Sequence, residues 1–371
     1  MLNMIQINTF NDFDKLNSVI LGRPEIKAGI VVSDDDKYCE DISLRLQYSD
    51  ELREDRENLK ELLISHNINV IDVPEYDKDD IDLMNENFAT QSMNGKIKPG
   101  YRCTSFLSAP RDSLFTYDNT IIECSVDMYR TFYYTQHMKN IFNMLAENEN
   151  NRYIQMPEDT NSRMLLLSKP IKEFKFKDES FFENNIYNNI KNNTLSKIQI
   201  DGANILKLGK DLFVNISRVS HLLGYQWIKE QFTGVNFHPM SLAQKHIDGT
   251  IIALRPGLLL MHSGWKKDYK TALPTQLQNW DVVFFDSDDI DYTDLYATDN
   301  FNWGTTDINI LSIDRNTIIV QQEFYNQYNT ILKDYKIEVI PVQLRHNDLW
   351  EGGLHCITND INRDGTMESY F

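Results

Sequence analysis

Cysteine is scarce in this sequence: Cys39, Cys103, Cys124 and Cys356 are the only four, and none stands at CxxC spacing or at metal-ligand spacing with a histidine. Zinc ribbons and thiol redox pairs are thereby excluded, and no metal is expected. The first residues, Met1-Leu2-Asn3-Met4-Ile5-Gln6, lack a basic region followed by an apolar core. No secretory signal is therefore expected, and the thiols are expected to be reduced in a cytoplasmic setting. No apolar run approaches the ~20 residues that span a bilayer, so no membrane partner is expected. Positive charge is short as well: 37 Lys and Arg stand against 55 Asp and Glu, for a net charge of −18. Nucleic acid, whose phosphates call for a basic face, is excluded as a partner. A cationic small molecule suits an acidic surface better.

What is present reads as a soluble globular chain of 371 residues, 41% hydrophobic and 25% charged. Ser18 to Leu21 reads as a strand closed by the turn Gly22-Arg23-Pro24, and an acidic loop with Asp34, Asp35 and Asp36 follows. Residues 49–66 form the clearest helix, with Leu52, Leu59, Leu62 and Leu63 on one face. Residues 68–73 then form a strand, and 75–100 a polar loop.

From Ser105 a unit recurs. Residues 105–123, 201–214, 248–260 and 307–320 each read as a strand, a polar turn and a second strand. Helices are expected up to about Leu145, over 219–232 and over 323–333, and further strands over 235–238, 282–286 and 337–341. The N-terminal strand–helix–strand is a candidate fifth copy. Self-similarity of this kind marks a repeat architecture. The units differ in length, which disfavours an open solenoid. A closed ring of strand–strand–helix–strand units hides its strand edges and brings equivalent strand ends to one axis. Asp112, Asp201, Asp248 and Cys356 stand at those ends.

Cys356 lies in Trp350-Glu351-Gly352-Gly353-Leu354-His355-Cys356-Ile357-Thr358. The glycine pair permits a sharp turn and close backbone approach to a ligand. A thiol held there is a candidate nucleophile, expected to be alkylated faster than the other cysteines if it is held as thiolate. The alternative is a small buried hydrophobe. If 354–358 is extended, Cys356 shares a face with Leu354 and Thr358 while His355 points away, making His355 a poor base. In Lys245-His246-Ile247-Asp248-Gly249 the same alternation puts His246 and Asp248 on one face, a proton shuttle beside an anionic ligand. A thiol, a separate histidine and several carboxylates suit a guanidinium, which is planar, cationic and rich in N–H donors.

Taken in order, several landmarks resemble the guanidino-group-modifying (pentein) superfamily, and within it the glycine and inosamine-phosphate amidinotransferases. They are Phe10-Asn11-Asp12-Phe13-Asp14, Pro110-Arg111-Asp112, Asp201-Gly202-Ala203-Asn204, His246-Ile247-Asp248, Gly352-Gly353-Leu354-His355-Cys356-Ile357-Thr358 with Asp360, and Gly365-Thr366-Met367-Glu368. The resemblance implies an α/β fold, a five-bladed pseudo-symmetric α/β propeller of ββαβ units, with 1–371 as a single domain. It implies ping-pong transfer of the amidino group of L-arginine to a small amine acceptor, with ornithine released and no cofactor. Cys356 is then the nucleophile, His246 the proton shuttle and Asp201 its partner. Asp112 and Asp248 hold the guanidinium, and Glu351 and Gly353 form the substrate-facing rim. A hydrolase of the same superfamily and a non-catalytic binding protein are the alternatives; a homodimer is the candidate assembly. Two departures stand out: Glu351 replaces the first glycine of the family's triplet, and Met261-His262-Ser263-Gly264-Trp265 lacks the arginine that vertebrate-type members carry for the substrate carboxylate.

Overall fold

The computed structural model describes residues 5–27, 40–80, 108–125, 137–157, 198–217, 219–243, 246–286, 306–350 and 352–371. The loop with Asp34–Asp36, residues 81–100 of the polar loop, Cys39, Cys103 and Glu351 lie outside the described residues.

The strands form five three-stranded sheets. Four of them follow the chain: β3 (Leu114–Tyr117), β4 (Thr120–Glu123) and β5 (Arg152–Gln155); β6 (Ile205–Leu208), β7 (Asp211–Asn215) and β8 (Asn236–Met240); β9 (Ile251–Arg255), β10 (Leu258–His262) and β11 (Asp281–Phe285); β12 (Leu311–Asp314), β13 (Thr317–Gln321) and β14 (Glu338–Val342). In each, the first two strands are antiparallel and the third pairs in parallel with the second. The fifth sheet joins the two ends of the chain. Its middle strand is β1 (Leu16–Leu21), its parallel partner β2 (Asn69–Asp72), and its antiparallel first strand is β15 (Thr358–Arg363), with Leu21 opposite Thr358. The N-terminal unit was expected as a fifth copy; its missing first strand comes from the far end of the sequence.

Among the described residues the helices are α1 (Glu40–Gln47), α2 (Ser49–Ser65), α3 (Pro110–Ser113), α4 (Lys139–Ala146), α5 (Val219–Lys229), α6 (Tyr269–Ala272), α7 (Tyr325–Ile331) and α8 (Asn347–Trp350). Helix α2 has Asp50 and Glu51 in its first turn, where the helix dipole favours negative charge, and it buries Leu52, Leu59 and Leu63. Helix α7 is shorter than the expected 323–333 because single 3₁₀ turns flank it, the second stopped by Lys336 at φ 56°. None of the described helices is long and apolar enough to cross a membrane.

The core is divided into five apolar clusters, each shared by two consecutive sheets. Ile121 faces the cluster with Ile20, Leu114 and Ile361, whereas its neighbour Ile122 faces the cluster with Ile205 and Leu212. Phe213 and Leu259 meet in the next, Leu258, Leu260, Ile318 and Val320 in the fourth, and Ile319, Val19 and Leu21 in the fifth. Successive side chains of a strand point to opposite faces, so a strand buried on both faces must be apolar throughout. That accounts for runs such as Leu258-Leu259-Leu260-Met261. It also requires that the five sheets be arranged cyclically, because every sheet has two seams.

Candidate active site

The turns that enter the first strand of each sheet gather at one end of the ring. Helix α3 lies against β15 and against the 3₁₀ turn Gly202–Asn204, which in turn meets the turn Ile247–Gly249. Gly202 is needed for this approach: a Cβ there would sit 2.3 Å from Leu114 O. Asp112 lies in the single turn of α3, Asp201 precedes the first 3₁₀ turn, and His246 and Asp248 flank and occupy the second. His246 and Asp248 share a site as expected, through a 3₁₀ turn in place of extended chain.

Residues 354–357 are not extended either. They form a tight turn, closed by Ile357 N donating to Gly353 O at 3.0 Å and by Thr358 N donating to His355 O at 3.4 Å. The alternation argument therefore fails for His355. Its ring turns inward, with Nδ1 2.8 Å from Asp248 Oδ2 and Nε2 3.9 Å from Asp12 Oδ1. Extended chain would have separated it from Cys356, but a turn puts both side chains on one carboxylate. Gly353 packs on residue 309, where a Cβ would lie 2.8 Å from Asn309 O.

Cys356 Sγ is 3.3 Å from Asp248 Oδ2 and 3.1 Å from Asn309 Nδ2, and the Cys356 backbone N–H donates to Asn309 Oδ1 at 2.9 Å. One oxygen of Asp112, one ring nitrogen of His246 and the Cys356 sulfur all lie within 4.8 Å of one another. His246 Nε2 is 3.1 Å from Asp201 Oδ2 and its Nδ1 is 3.4 Å from Asp112 Oδ1. The ring thus faces a carboxylate at each nitrogen. Burial opposes its charge, but Asp112, Asp201 and Asp248 outweigh burial and carry the imidazolium up to about 9. At neutral pH His246 therefore presents protons, a poor state for a metal ligand although Asp112, His246 and Cys356 are otherwise close enough to share an ion.

Burial pushes the Cys356 thiol up, and the Asp248 and Asp112 carboxylates push it further, while the Asn309 hydrogen bond pulls it down. These neighbours favour the protonated thiol in the empty site, and a cation bound between the carboxylates would favour its ionisation. Asp248 behaves oppositely. Burial raises it, but the His355 hydrogen bond and the nearby histidines hold it below the usual carboxylate range. Its Oδ1 is buried without a hydrogen-bond partner, an acceptor aimed at nothing in the described chain.

Behind the thiol, Arg111 Nε donates to His355 O at 2.7 Å and to Thr358 O at 3.0 Å, and its two terminal nitrogens reach Asp12 and Asp360 at 3.3 and 2.9 Å. Asp12 is also 3.0 Å from Lys207 Nζ, and Asp360 accepts from Arg363 Nε at 2.8 Å. This buried network fixes the cysteine turn from below. Arg345 ties the segment before it to α2, with Nε 2.9 Å from Asp55 Oδ1. Of the residues expected from the sequence, Cys356, His246, Asp201, Asp112, Asp248 and Gly353 are brought together. Asn309 and the support by Arg111 and Asp12 were missed. The available signal was positional: Asp112, Asn309 and Cys356 each stand two residues before the first strand of their sheets.

No family model matches the chain. A solved amidinotransferase from Microseira wollei, of the saxitoxin biosynthetic pathway, superposes with a TM-score of 0.68 at 20% identity, covering 98% of this chain and 99% of that one. The chain has the pentein fold. In sequence, it is 30% identical over 174 residues to inosamine-phosphate amidinotransferase 1 of Streptomyces glaucescens, 46% of this chain and 48% of that protein. It is 27% identical over 180 residues to the L-arginine:L-lysine amidinotransferase of Pseudomonas savastanoi pv. phaseolicola, 46% of each. The chain thus spans about half the length of these curated relatives.

Proposed function

We propose that the chain is an amidinotransferase that moves the amidino group of L-arginine to an amine acceptor through an amidino adduct on Cys356, releasing ornithine. The observation that carries this reading is a buried thiol within 4.8 Å of His246 and Asp112 and 3.3 Å from Asp248 Oδ2, with Asp248 Oδ1 buried without a hydrogen-bond partner. A guanidinium satisfies all of these groups at once: its N–H groups pair with Asp112 and Asp248, and its charge favours ionisation of the thiol they otherwise suppress.

The chemistry then balances as follows. The thiol proton leaves to solvent as the guanidinium binds. The sulfur forms a bond to the guanidinium carbon, the bond from that carbon to the ornithine nitrogen breaks, and His246 gives that nitrogen its proton. The cationic amidino group remains on sulfur and His246 is left neutral. An incoming amine attacks the same carbon, His246 takes its proton, and the thiolate departs. Asp201, on the far nitrogen of the ring, keeps His246 oriented through both halves. Residues 1–371 act as one unit in this reading, with no metal or organic cofactor, in the cytoplasm and as a homodimer. No arginine stands in residues 261–265, so in this reading other residues than in vertebrate-type members recognise the substrate carboxylate.

The test is incubation with L-arginine and a panel of amines that includes glycine, L-lysine and an aminocyclitol phosphate. Ornithine should appear only with a productive acceptor, and intact mass should show the amidino adduct when the acceptor is withheld. Ornithine accompanied by urea with no acceptor present would make the protein a hydrolase. Full turnover by Cys356→Ala would refute catalysis at this site altogether.

A further inference from the structure

We propose that Asn309 is a catalytic residue: its side-chain amide is the donor that stabilises the Cys356 sulfur as thiolate. This inference rests on the reading of Cys356 as the nucleophile.

The sulfur sits between two polar neighbours of opposite character. Asp248 Oδ2, at 3.3 Å, accepts from the thiol S–H, and Asn309 Nδ2, at 3.1 Å, donates to the sulfur. Ionisation turns the first contact into a repulsion of two anions. The second becomes a charge-assisted hydrogen bond, about twice as strong as its neutral form. Burial, Asp248 and Asp112 all favour the protonated thiol, and the Asn309 hydrogen bond opposes them. The donor is also held rigidly. Asn309 Oδ1 accepts from Cys356 N at 2.9 Å, which fixes the orientation of the amide, and Asn309 O accepts from His355 N at 3.4 Å. Turning the amide over would set its NH2 against the Cys356 N–H and lose the hydrogen bond between Cys356 N and Asn309 Oδ1.

A comparison between two sheets separates this role from simple turn capping. Asn204 and Asn215 stand opposite each other one step beyond the Ile205–Val214 pair, and Asn215 Nδ2 donates to Asn204 Oδ1 at 2.9 Å. Asn309 and Gln321 stand at the corresponding place, two steps beyond the Leu311–Ile319 pair. There the cross-strand bond is not made: the buried Gln321 amide has no hydrogen-bond partner at either end. Asn309 has given up its structural partner and faces the thiol instead. In this role the S–H proton leaves toward solvent as a guanidinium occupies Asp248, and the Asn309 N–H holds the negative charge until the sulfur–carbon bond forms.

The test needs no substrate. Cys356 labelling by iodoacetamide is followed by peptide mass spectrometry between about pH 7 and 10 in wild type, Asn309→Ala and Asn309→Asp. Since one pKa unit is a tenfold change in thiolate fraction below the midpoint, loss of the donor should slow labelling about tenfold at every pH below the midpoint and move the midpoint up by about one unit. Asn309→Asp keeps an acceptor for Cys356 N–H and replaces the donor with charge, so its labelling should slow further; should Asn309→Ala fail to fold, this isosteric variant decides. With arginine, kcat should fall at least about tenfold while KM changes less than about twofold. Labelling rates and midpoint within about twofold of wild type in the folded variants would overturn the assignment. A wild type that moves no amidino group, with the labelling shift intact, would instead overturn the transferase reading and leave Asn309 as the thiolate partner.

Discussion

Asp248→Asn should move two measurements in opposite directions, because one carboxylate plays two roles. In the empty site Asp248 Oδ2 lies 3.3 Å from the sulfur, where a unit negative charge opposes thiolate formation by up to about 5 kcal/mol at an effective dielectric near 20. An asparagine can still accept from the thiol and from His355, so most local geometry is retained. Labelling of Cys356 by neutral iodoacetamide should therefore become faster, by at least about tenfold, well inside that bound. With arginine bound, the same carboxylate makes a charge-assisted hydrogen bond to the guanidinium, worth about 1.5–3 kcal/mol. Its loss should lower kcat/KM for arginine by about 10- to 150-fold. Both rates are read on one preparation, with a thermal melt to confirm folding. Labelling that slows or stays unchanged would refute the electrostatic account of the thiol; an unchanged kcat/KM would refute the placement of the guanidinium on Asp248.

Further outcomes are expected at His246 and at the closing strand. His246 carries a proton below about pH 9, so ornithine release in the first half-reaction should hold below that pH and fall as pH rises through it; His246→Gln should cost about 10²–10⁴ in that rate, and a burst rate that stays flat through pH 9 would count against His246 as the proton donor. Because the folded value lies above the ordinary 6.5, the imidazolium also stabilises the fold fully below about 6.5, and that contribution is lost as pH climbs through about 9. Ile361→Ala, on the fully buried closing strand, should destabilise the fold by about 2–5 kcal/mol in urea titration, whereas a loss below about 1 kcal/mol would show that β15 contributes little to ring closure.

The candidate site residues were legible because their types are restrictive. Few residues can attack carbon, shuttle a proton near neutrality or pair with a guanidinium, and the motif order around Asp112, Asp201, His246, Asp248 and Cys356 narrowed them further. Side-chain direction was less legible. His355 was set aside on the premise of extended chain, and a single turn reversed that. Asn309 carried no signal of its own, since asparagine is common in this chain and usual in turns.

The sequence by itself determined the local units and their repetition: apolar strands, polar turns between them, and an α2 stripe of leucines, all of which follow from near-neighbour periodicity. Only the tertiary structure decided how the ring closes and what faces the thiol. Closure pairs β1 with β15 across almost the full length of the chain, and Asn309 meets Cys356 across 47 residues. Contacts at such separations leave no local period to read. They are selected by the burial of both faces of every sheet, which a chain can satisfy only when its two ends complete one sheet together.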